Sequence, residues 1–176
     1  MSDMVEVREL DGETARARID ALATLLIACV KGGASVGFMA PLPNGRAQSF
    51  WRRIADDVSR GARVLLIAED RITREVIGTV QLILEQPENQ PHRADLAKML
   101  VHPRIRRKGV GALLMRAAEE AARKTRKTLL VLDTANDAAE RLYQRSGWMK
   151  VGVIPGYALM PDGAPCDTTY FYKSLA

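Results

Sequence analysis

The sequence predicts an α/β protein of the α+β kind, a mixed central sheet of about seven strands flanked by about four helices. Three observations predict it. Apolar periodicity along the 176 residues switches between strand and helix in the order β-α-α-β-β-β-α-β-α-β-β, with no repeat and no linker dividing the chain. Two apolar runs, 63–69 and 76–84, are separated only by a polar turn, which marks a hairpin. A further strand runs through Pro103 and a pair of glycines straight into an amphipathic helix. The length suits a single domain over 1–176, large enough to bury a core without staples.

Taken in order, a short strand at 4–8 alternates Val5 and Val7. A helix over 13–30 follows, because Ile19, Leu22, Ala23, Leu26, Ile27 and Val30 recur at helical spacing; Lys31-Gly32-Gly33 ends it with a glycine stop. A loop through Pro41, Pro43, Asn44 and Gly45 leads to a second helix with Phe50, Trp51, Ile54 and Val58 inward, stopped by Gly61. The hairpin comes next, then a loop marked by Pro87, Asn89 and Pro91, then a strand over 95–101. The third helix, 109–124, carries Val110, Leu113, Leu114, Ala117, Ala118 and Ala121 on one stripe. A strand at 128–133 and a short helix at 137–145 follow, with Asp137 and Glu140 spaced as a capping box and Gly147 as the stop. Strands at 148–154 and 168–173 complete the sheet.

Composition narrows the function classes. Apolar residues make up 47% and charged residues 27%, so the whole chain is neither disordered nor collagenous. The net charge of +5 has two sources. Arg104, Arg106, Arg107 and Lys108 form one cluster; Arg123, Lys124, Arg126 and Lys127 form the other. Without those eight, 18 basic residues face 21 acidic ones, so the excess is local rather than spread along a face as in a nucleic-acid binder. Cys29 and Cys166 belong to no CxxC pair, and with only His92 and His102 beside them no metal site is expected. The apolar run at 21–30 is too short to span a bilayer, and the acidic segment before it is unlike a secretory leader. The expectation is a cytoplasmic protein that engages neither nucleic acid nor membrane.

The segment Met99-Leu100-Val101-His102-Pro103-Arg104-Ile105-Arg106-Arg107-Lys108-Gly109-Val110-Gly111 is the most informative. A helix N-terminus offers free N–H groups and the positive end of the dipole; glycines let the backbone approach an anion, and the basic side chains add charge. That specifies a diphosphate cradle. A Walker A loop is absent, since no four-residue gap followed by Lys-Ser/Thr occurs here. A dinucleotide fingerprint lacks its third glycine, because position 114 is Leu, and too little chain follows Asp133 for a doubly wound sheet.

Arg106-x-x-Gly109-x-Gly111 resembles the pyrophosphate loop of the GCN5-related N-acetyltransferase (GNAT) family, (Gln/Arg)-x-x-Gly-x-(Gly/Ala). The preceding strand with Val-x-Pro is similar too. So are Asn136, Ala139, Leu142, Tyr143 and Gly147-Trp148 downstream, which look like that family's Asn-x-x-Ala-x-x-Leu-Tyr-x-x-x-Gly-aromatic pattern. Gly32 to Met39, Arg93-Ala94-Asp95, Leu132-Asp133-Thr134, Pro155-Gly156-Tyr157 and Pro161-Asp162-Gly163 resemble its tabtoxin-resistance branch, which acetylates a small toxin amine.

The resemblance implies a GNAT fold and transfer of acetyl from acetyl-CoA to a primary amine by direct attack. It implies that the amides of Arg106, Arg107, Lys108, Gly109, Val110 and Gly111 bind the CoA pyrophosphate, and that Met99 and Val101 hold the pantetheine arm through their backbones. Tyr143 would protonate the leaving thiolate. Asn136 either binds CoA or begins its helix. A protonated amine must lose a proton before it attacks, and Asp95 and Asp133 are the candidate bases. Asp95 stands where the tabtoxin-resistance branch has Glu; its reach is about 1.5 Å shorter, which favours a water relay. Acceptor-side walls are expected at Ser35, Phe38, Met39 and Tyr157. The partner is a small-molecule amine and the chain a monomer or homodimer. The alternatives are a non-catalytic acyl-CoA-binding regulator on the same fold and an acetyltransferase of protein or peptide amines.

Overall fold

Val64-Leu65-Leu66-Ile67-Ala68 is an unbroken apolar run. Side chains alternate across a strand, so such a run needs cover on both faces of its sheet. The computed structural model, which describes residues 4–175, supplies that cover. The elements are β1 (Val5–Leu10), α1 (Gly12–Ala17), α2 (Ile19–Lys31), α3 (Asn44–Ser59), β2 (Arg63–Asp70), β3 (Val76–Ile83), β4 (Arg93–Val101), α4 (Val110–Lys124), β5 (Leu129–Thr134), α5 (Asp137–Arg145), β6 (Met149–Leu159) and β7 (Pro165–Ser174). The strands form one sheet in the order β1-β2-β3-β4-β5-β7-β6. Only the β4–β5 pair is parallel. The mixed seven-stranded sheet flanked by about four helices that the sequence predicts is present, with five α-helices among the described residues.

Val64, Leu66 and Ala68 of β2 pack with α4 and α5 in one core. Leu65 and Ile67 face α1, α2 and α3 in the other, around fully buried Trp51.

The register of β4 positions the site. It pairs with β5 only where Arg93–Asp95 lie opposite Leu129–Val131. Beyond Asp95 the two strands part, and β5 continues to Thr134 against β7 alone. The β4 main chain from Leu96 to Val101 is thus left without a partner on that side. Opposite Thr79–Gln81 the β3–β4 register shifts, and Lys98 takes a positive φ of 51°.

Several local expectations are corrected. The helix expected over 13–30 is two helices broken at Arg18, whose φ is −105°. Its guanidinium reaches Glu69 at 2.7 Å, a fully buried carboxylate that Arg8 and Arg74 also hold. Neutralising that buried charge outweighs continuing one helix. Asn44 and Gly45, read as loop, open α3 after Pro43, where first-turn residues need no intrahelical acceptor. Ala47 and Ala55 join Trp51 and Ile54 inward, while Phe50 and Val58 are half-buried.

The cap of α5 is Asn136, whose side-chain oxygen accepts from the Ala139 amide at 3.0 Å; Asp137 is not the cap. Glu140 makes no capping box because its carboxylate goes to Thr169 at 2.6 Å and Lys150 at 3.2 Å. Strands β6 and β7 run further than expected, since a register shift between Ile154 and Ala158 absorbs Pro155 and Gly156 on an edge strand. In the second basic cluster, Lys127 donates to the carbonyls of Leu84 and Pro91, tying the end of α4 to the loop before β4. Among the described residues no helix is long and apolar enough to cross a membrane.

Candidate functional site

The first expected site lies where β4 turns into α4. Pro103–Ile105 form a single 3-10 turn, and left-handed dihedrals follow at Arg107 (φ 65°) and Gly109 (φ 87°). Gly109 is the N-cap of α4. Leu113 donates to the Gly109 carbonyl at 3.1 Å, so the amides of Val110, Gly111 and Ala112 precede the first intrahelical bond. The amides of Arg106, Arg107, Lys108 and Gly109 donate to no main-chain carbonyl among the described residues. A row of free N–H groups at a helix N-terminus, ringed by the exposed side chains of Arg104, Arg106, Arg107 and Lys108, can cradle a diphosphate. Buried Val110 anchors the turn.

The two glycines serve different ends. A Cβ on Gly109 would meet nothing, so its glycine answers the backbone conformation. A Cβ on Gly111 would lie 2.9 Å from Leu142 Cδ2, so that glycine lets α4 and α5 close together.

The free edge of β4 adjoins this loop. Met99 and Val101 pack their side chains into the α4 core and present main chain to the opening. The Val101 carbonyl accepts from Arg106 Nε at 3.3 Å, and the Cys29 thiol lies 3.6 Å from it. Burial pushes the Cys29 thiol up, against the opposing charge of Arg106, so it is an inert core thiol.

Tyr143 lies on the α5 side of the opening, only 4% exposed, with ring centroids 6.0 Å from Trp148 and 5.8 Å from Phe171. Burial holds its hydroxyl well above the ordinary tyrosine value, and the charge of Asp133 pushes the same way. The phenol therefore carries its proton at neutral pH. Asn136 spends its side-chain oxygen on the α5 cap.

The carboxylates converge from β4 and β5. Asp95 is paired with Val131, and Asp133 lies two residues further along β5, so both project to the same face. Their surroundings differ. Asp95 is held by Arg93 and by Gln86 Nε2 at 3.2 Å; Arg93 is itself braced by Gln86 and by Gln90 at 2.8 Å. Asp133 accepts one hydrogen bond, from Thr168 Oγ1 at 2.7 Å, and forms no ion pair among the described residues. Tyr170 is paired with Asp133 across β5–β7, and its hydroxyl lies 3.0 Å from that of Tyr157. That hydrogen bond, then burial, then the Asp133 charge, with smaller parts from Tyr157 and Asp95, push Tyr170 up to about 12.

The Gly-Gly loop is tied to the β6–β7 hairpin. Ser35 Oγ meets the Leu159 carbonyl at 3.3 Å and Cys166 Sγ at 3.7 Å, and the Ala40 amide donates to the Pro161 carbonyl. The Phe38 ring meets Phe50 edge-on at 5.2 Å, while Met39 is 41% exposed. A cleft of about 510 Å³ lies nearby, lined in part by Thr134, Asp137, Lys150, Asp167 and Thr169. Strand alternation places Thr134 and Thr169 on the opposite sheet face from Asp133 and Tyr170, so this cleft is not where the carboxylates meet.

Sequence reasoning missed Arg93 as a partner of Asp95, together with Gln86, Thr168, Tyr170 and Lys98. Only Lys98 carried a local signal, as a lone charge inside the apolar strand Leu96-Ala97-Lys98-Met99-Leu100.

The chain resembles solved acetyltransferases over nearly its whole length. A GCN5-related N-acetyltransferase from Kribbella flavida superposes with a TM-score of 0.80 at 18% identity, covering 99% of each chain. The Salmonella typhimurium protein yncA, solved with its cofactor acetyl-CoA, matches with a TM-score of 0.79 at 18% identity over 98% of this chain and 95% of that one. A ribosomal-protein-alanine N-acetyltransferase from Brucella melitensis matches with a TM-score of 0.79 at 19% identity over 96% and 99%. At these identities the likeness is one of fold. The model of the acetyltransferase (GNAT) family matches residues 22–148, from α2 through the Tyr143 helix to Trp148. The chain belongs to the acetyltransferase (GNAT) family and is, by that membership, an acetyl-CoA-dependent N-acetyltransferase.

Proposed function

We propose that this single domain, 1–176, acetylates a primary amine of a small molecule, and that it belongs near the tabtoxin-resistance branch, with a toxin or antibiotic amine as acceptor. The observation that carries the reading is the gap where β4 leaves β5 after Asp95, with Asp133 further along β5 and the buried phenol of Tyr143, near enough to feel the Asp133 charge, on α5. The amides of Arg106–Gly111 would hold the CoA diphosphate, and the main chain of Met99 and Val101 its pantetheine arm. There the incoming arm would replace Arg106 Nε at the Val101 carbonyl. Acetyl-CoA supplies an activated acetyl thioester, whose C–S bond breaks as the C–N bond to the amine forms.

Asp133, directly or through a water, takes one proton from the substrate ammonium and exposes its lone pair. The adduct loses a second N–H proton to solvent as it collapses, while Tyr143 gives its phenol proton to the departing sulfur and is reprotonated from solvent. With the proton that Asp133 returns to solvent, each turnover releases one proton to bulk. Asp95 is neutralised by Arg93 and acts through position rather than as the base. Ser35, Phe38 and Tyr157 shape the acceptor side; Met39 lies at its edge. The protein acts in the cytoplasm as a monomer or homodimer.

The test is release of CoA thiol from acetyl-CoA against a library of small amines that includes a β-lactam toxin analogue. Acetylation of a small amine supports the reading. Calorimetric binding of acetyl-CoA with no thiol release from any amine would leave the regulator in its place. Turnover on peptide amines alone would move the acceptor class to proteins.

A further inference from the structure

Lys98 stands out among the half-buried cations near the acceptor side, where Arg63 and Arg93 are each ion-paired. It is half-buried, yet it makes no hydrogen bond or ion pair among the described residues. Its positive φ, in a bulge of β4, directs the chain out of the regular alternation. The ammonium lies 5.8 Å from the Phe50 ring centroid, and a Cβ on Gly37 would be 3.8 Å from it. It therefore sits between α3 and the Gly-Gly loop, the wall already assigned to the acceptor. Burial and the Arg63 guanidinium both lower its proton affinity; the Asp133 charge opposes them.

A second donor nearby lacks an acceptor. Gln81 is paired with Ala97, the neighbour of Lys98, and is fully buried. Its amide oxygen accepts from Arg63 at 2.8 Å, while its Nε2 has no partner. Val80 and Leu82 face the α4 core, so Gln81 faces the same side as Lys98.

The charges on this side pair off unevenly. Arg63 is neutralised by Asp57 at 3.0 Å, and Arg93 by Asp95. Exposed Arg46 lies 5.9 Å over the Phe38 ring with no carboxylate partner among the described residues. Among the half-buried cations on this side Lys98 is left over, and Asp133 is left without an ion pair among the described residues, together the complement of a zwitterion. We propose that Lys98, with the unpartnered Gln81 amide on the same sheet face, receives an acid group of the acceptor, so that the substrate is an amine carrying its own carboxylate. This rests on the small-amine reading above and narrows it. The ammonium end lies toward Asp133, where it is deprotonated. The carboxylate end gives Lys98 its missing acceptor and thereby favours its charged form.

The experiment compares amino acids of graded amine-to-carboxylate separation with their carboxamides, using CoA release by the native enzyme, Lys98→Met, Lys98→Gln and Lys98→Arg. The native enzyme is expected to prefer acids over amides by about tenfold or more in kcat/KM, the scale of a charged hydrogen bond. Lys98→Met and Lys98→Gln should raise KM for the acids until the preference is gone, leaving the amides within about twofold; Lys98→Arg should keep part of it. Equal use of acids and amides by the native enzyme, or an equal loss on both classes in a variant whose melting temperature is unchanged, overturns the proposal. No acetylation of any compound in either class, with acetyl-CoA still bound, overturns this proposal; the small-amine reading falls with it only if the wider amine library also releases no CoA.

Discussion

The cofactor end and the acceptor end of the opening are built in opposite ways. At the proposed cofactor end the main chain would do the binding: free amides from Arg106 to Gly111, a left-handed Gly109 and the unpaired edge of β4. The basic side chains there are exposed; Arg106 donates to the Val101 carbonyl and Arg104 pairs with Glu75 at 3.2 Å. At the proposed acceptor end side chains would do the work, and they arrive from five elements: Asp95 and Lys98 from β4, Asp133 from β5, Tyr143 from α5, Tyr170 from β7 and Phe50 from α3. A main-chain site tolerates changes of side chain and is sensitive to dihedral angles. A side-chain site is the reverse.

The largest effect that would break this comparison lies at the acceptor end. Tyr143→Phe should lower kcat about 100-fold while leaving acetyl-CoA affinity, measured by calorimetry, nearly unchanged. Unchanged turnover across the pH range would remove the acid role. Asp133→Asn should cost a similar factor at pH 7, and the loss should shrink as pH rises toward the amine's own pKa, where the acceptor is already deprotonated. A constant deficit at all pH values would make Asp133 an anchor rather than a base. Asp95→Asn should cost less at neutral pH, because its carboxylate is spent on Arg93.

At the cofactor end the sensitive change is conformational. Gly109→Ala introduces no clash but forces a left-handed alanine, which costs about 1–2 kcal/mol and should weaken acetyl-CoA binding about tenfold. Arg107→Ala, the removal of one exposed charge, should weaken binding only about two- to threefold, with the difference fading at high salt. If Arg107→Ala proves worse than Gly109→Ala in a titration, side chains rather than amides hold the diphosphate.

The smallest effect concerns alkaline stability. Tyr170 is held up to about 12 in the folded protein, above an unfolded value near 10. A raised folded value contributes stability that is fully present below pH ~10 and is lost as pH rises toward 12. Tyr157→Phe removes the largest cause of that shift. Ultraviolet titration of the tyrosinates should then show one tyrosine ionising at lower pH, with activity at pH 7 little altered.

How much could be read beforehand follows the same division. The loop at 106–111 was legible because glycine spacing, a proline and an apolar stripe are contiguous in the chain and each constrains local dihedrals. The α5 cap was misplaced by one residue, since Asn136 and Asp137 are equally good caps and only the bond to Ala139 separates them. The break at Arg18 was invisible, because the carboxylate its guanidinium meets, buried Glu69, lies on β2, far along the chain. Arg93, Gln86 and Asp95 form a local cluster whose pairing depends on the strand register, and Tyr170 meets Asp133 only through β5–β7 pairing.

By itself the sequence determined the element order, the two-sided burial of β2, the glycine-opened helix with its charge cluster and the family motifs. These depend on periodicity and on dihedral preferences, which act over a few residues. Tertiary structure alone decided that β4 and β5 part after Asp95, that Asp95 is paired with Arg93 while Asp133 has no ion pair among the described residues, and that Lys98 meets the Phe50 ring rather than a carboxylate. Those outcomes depend on which distant groups compete for one another's charge, a competition settled only when the strands pair.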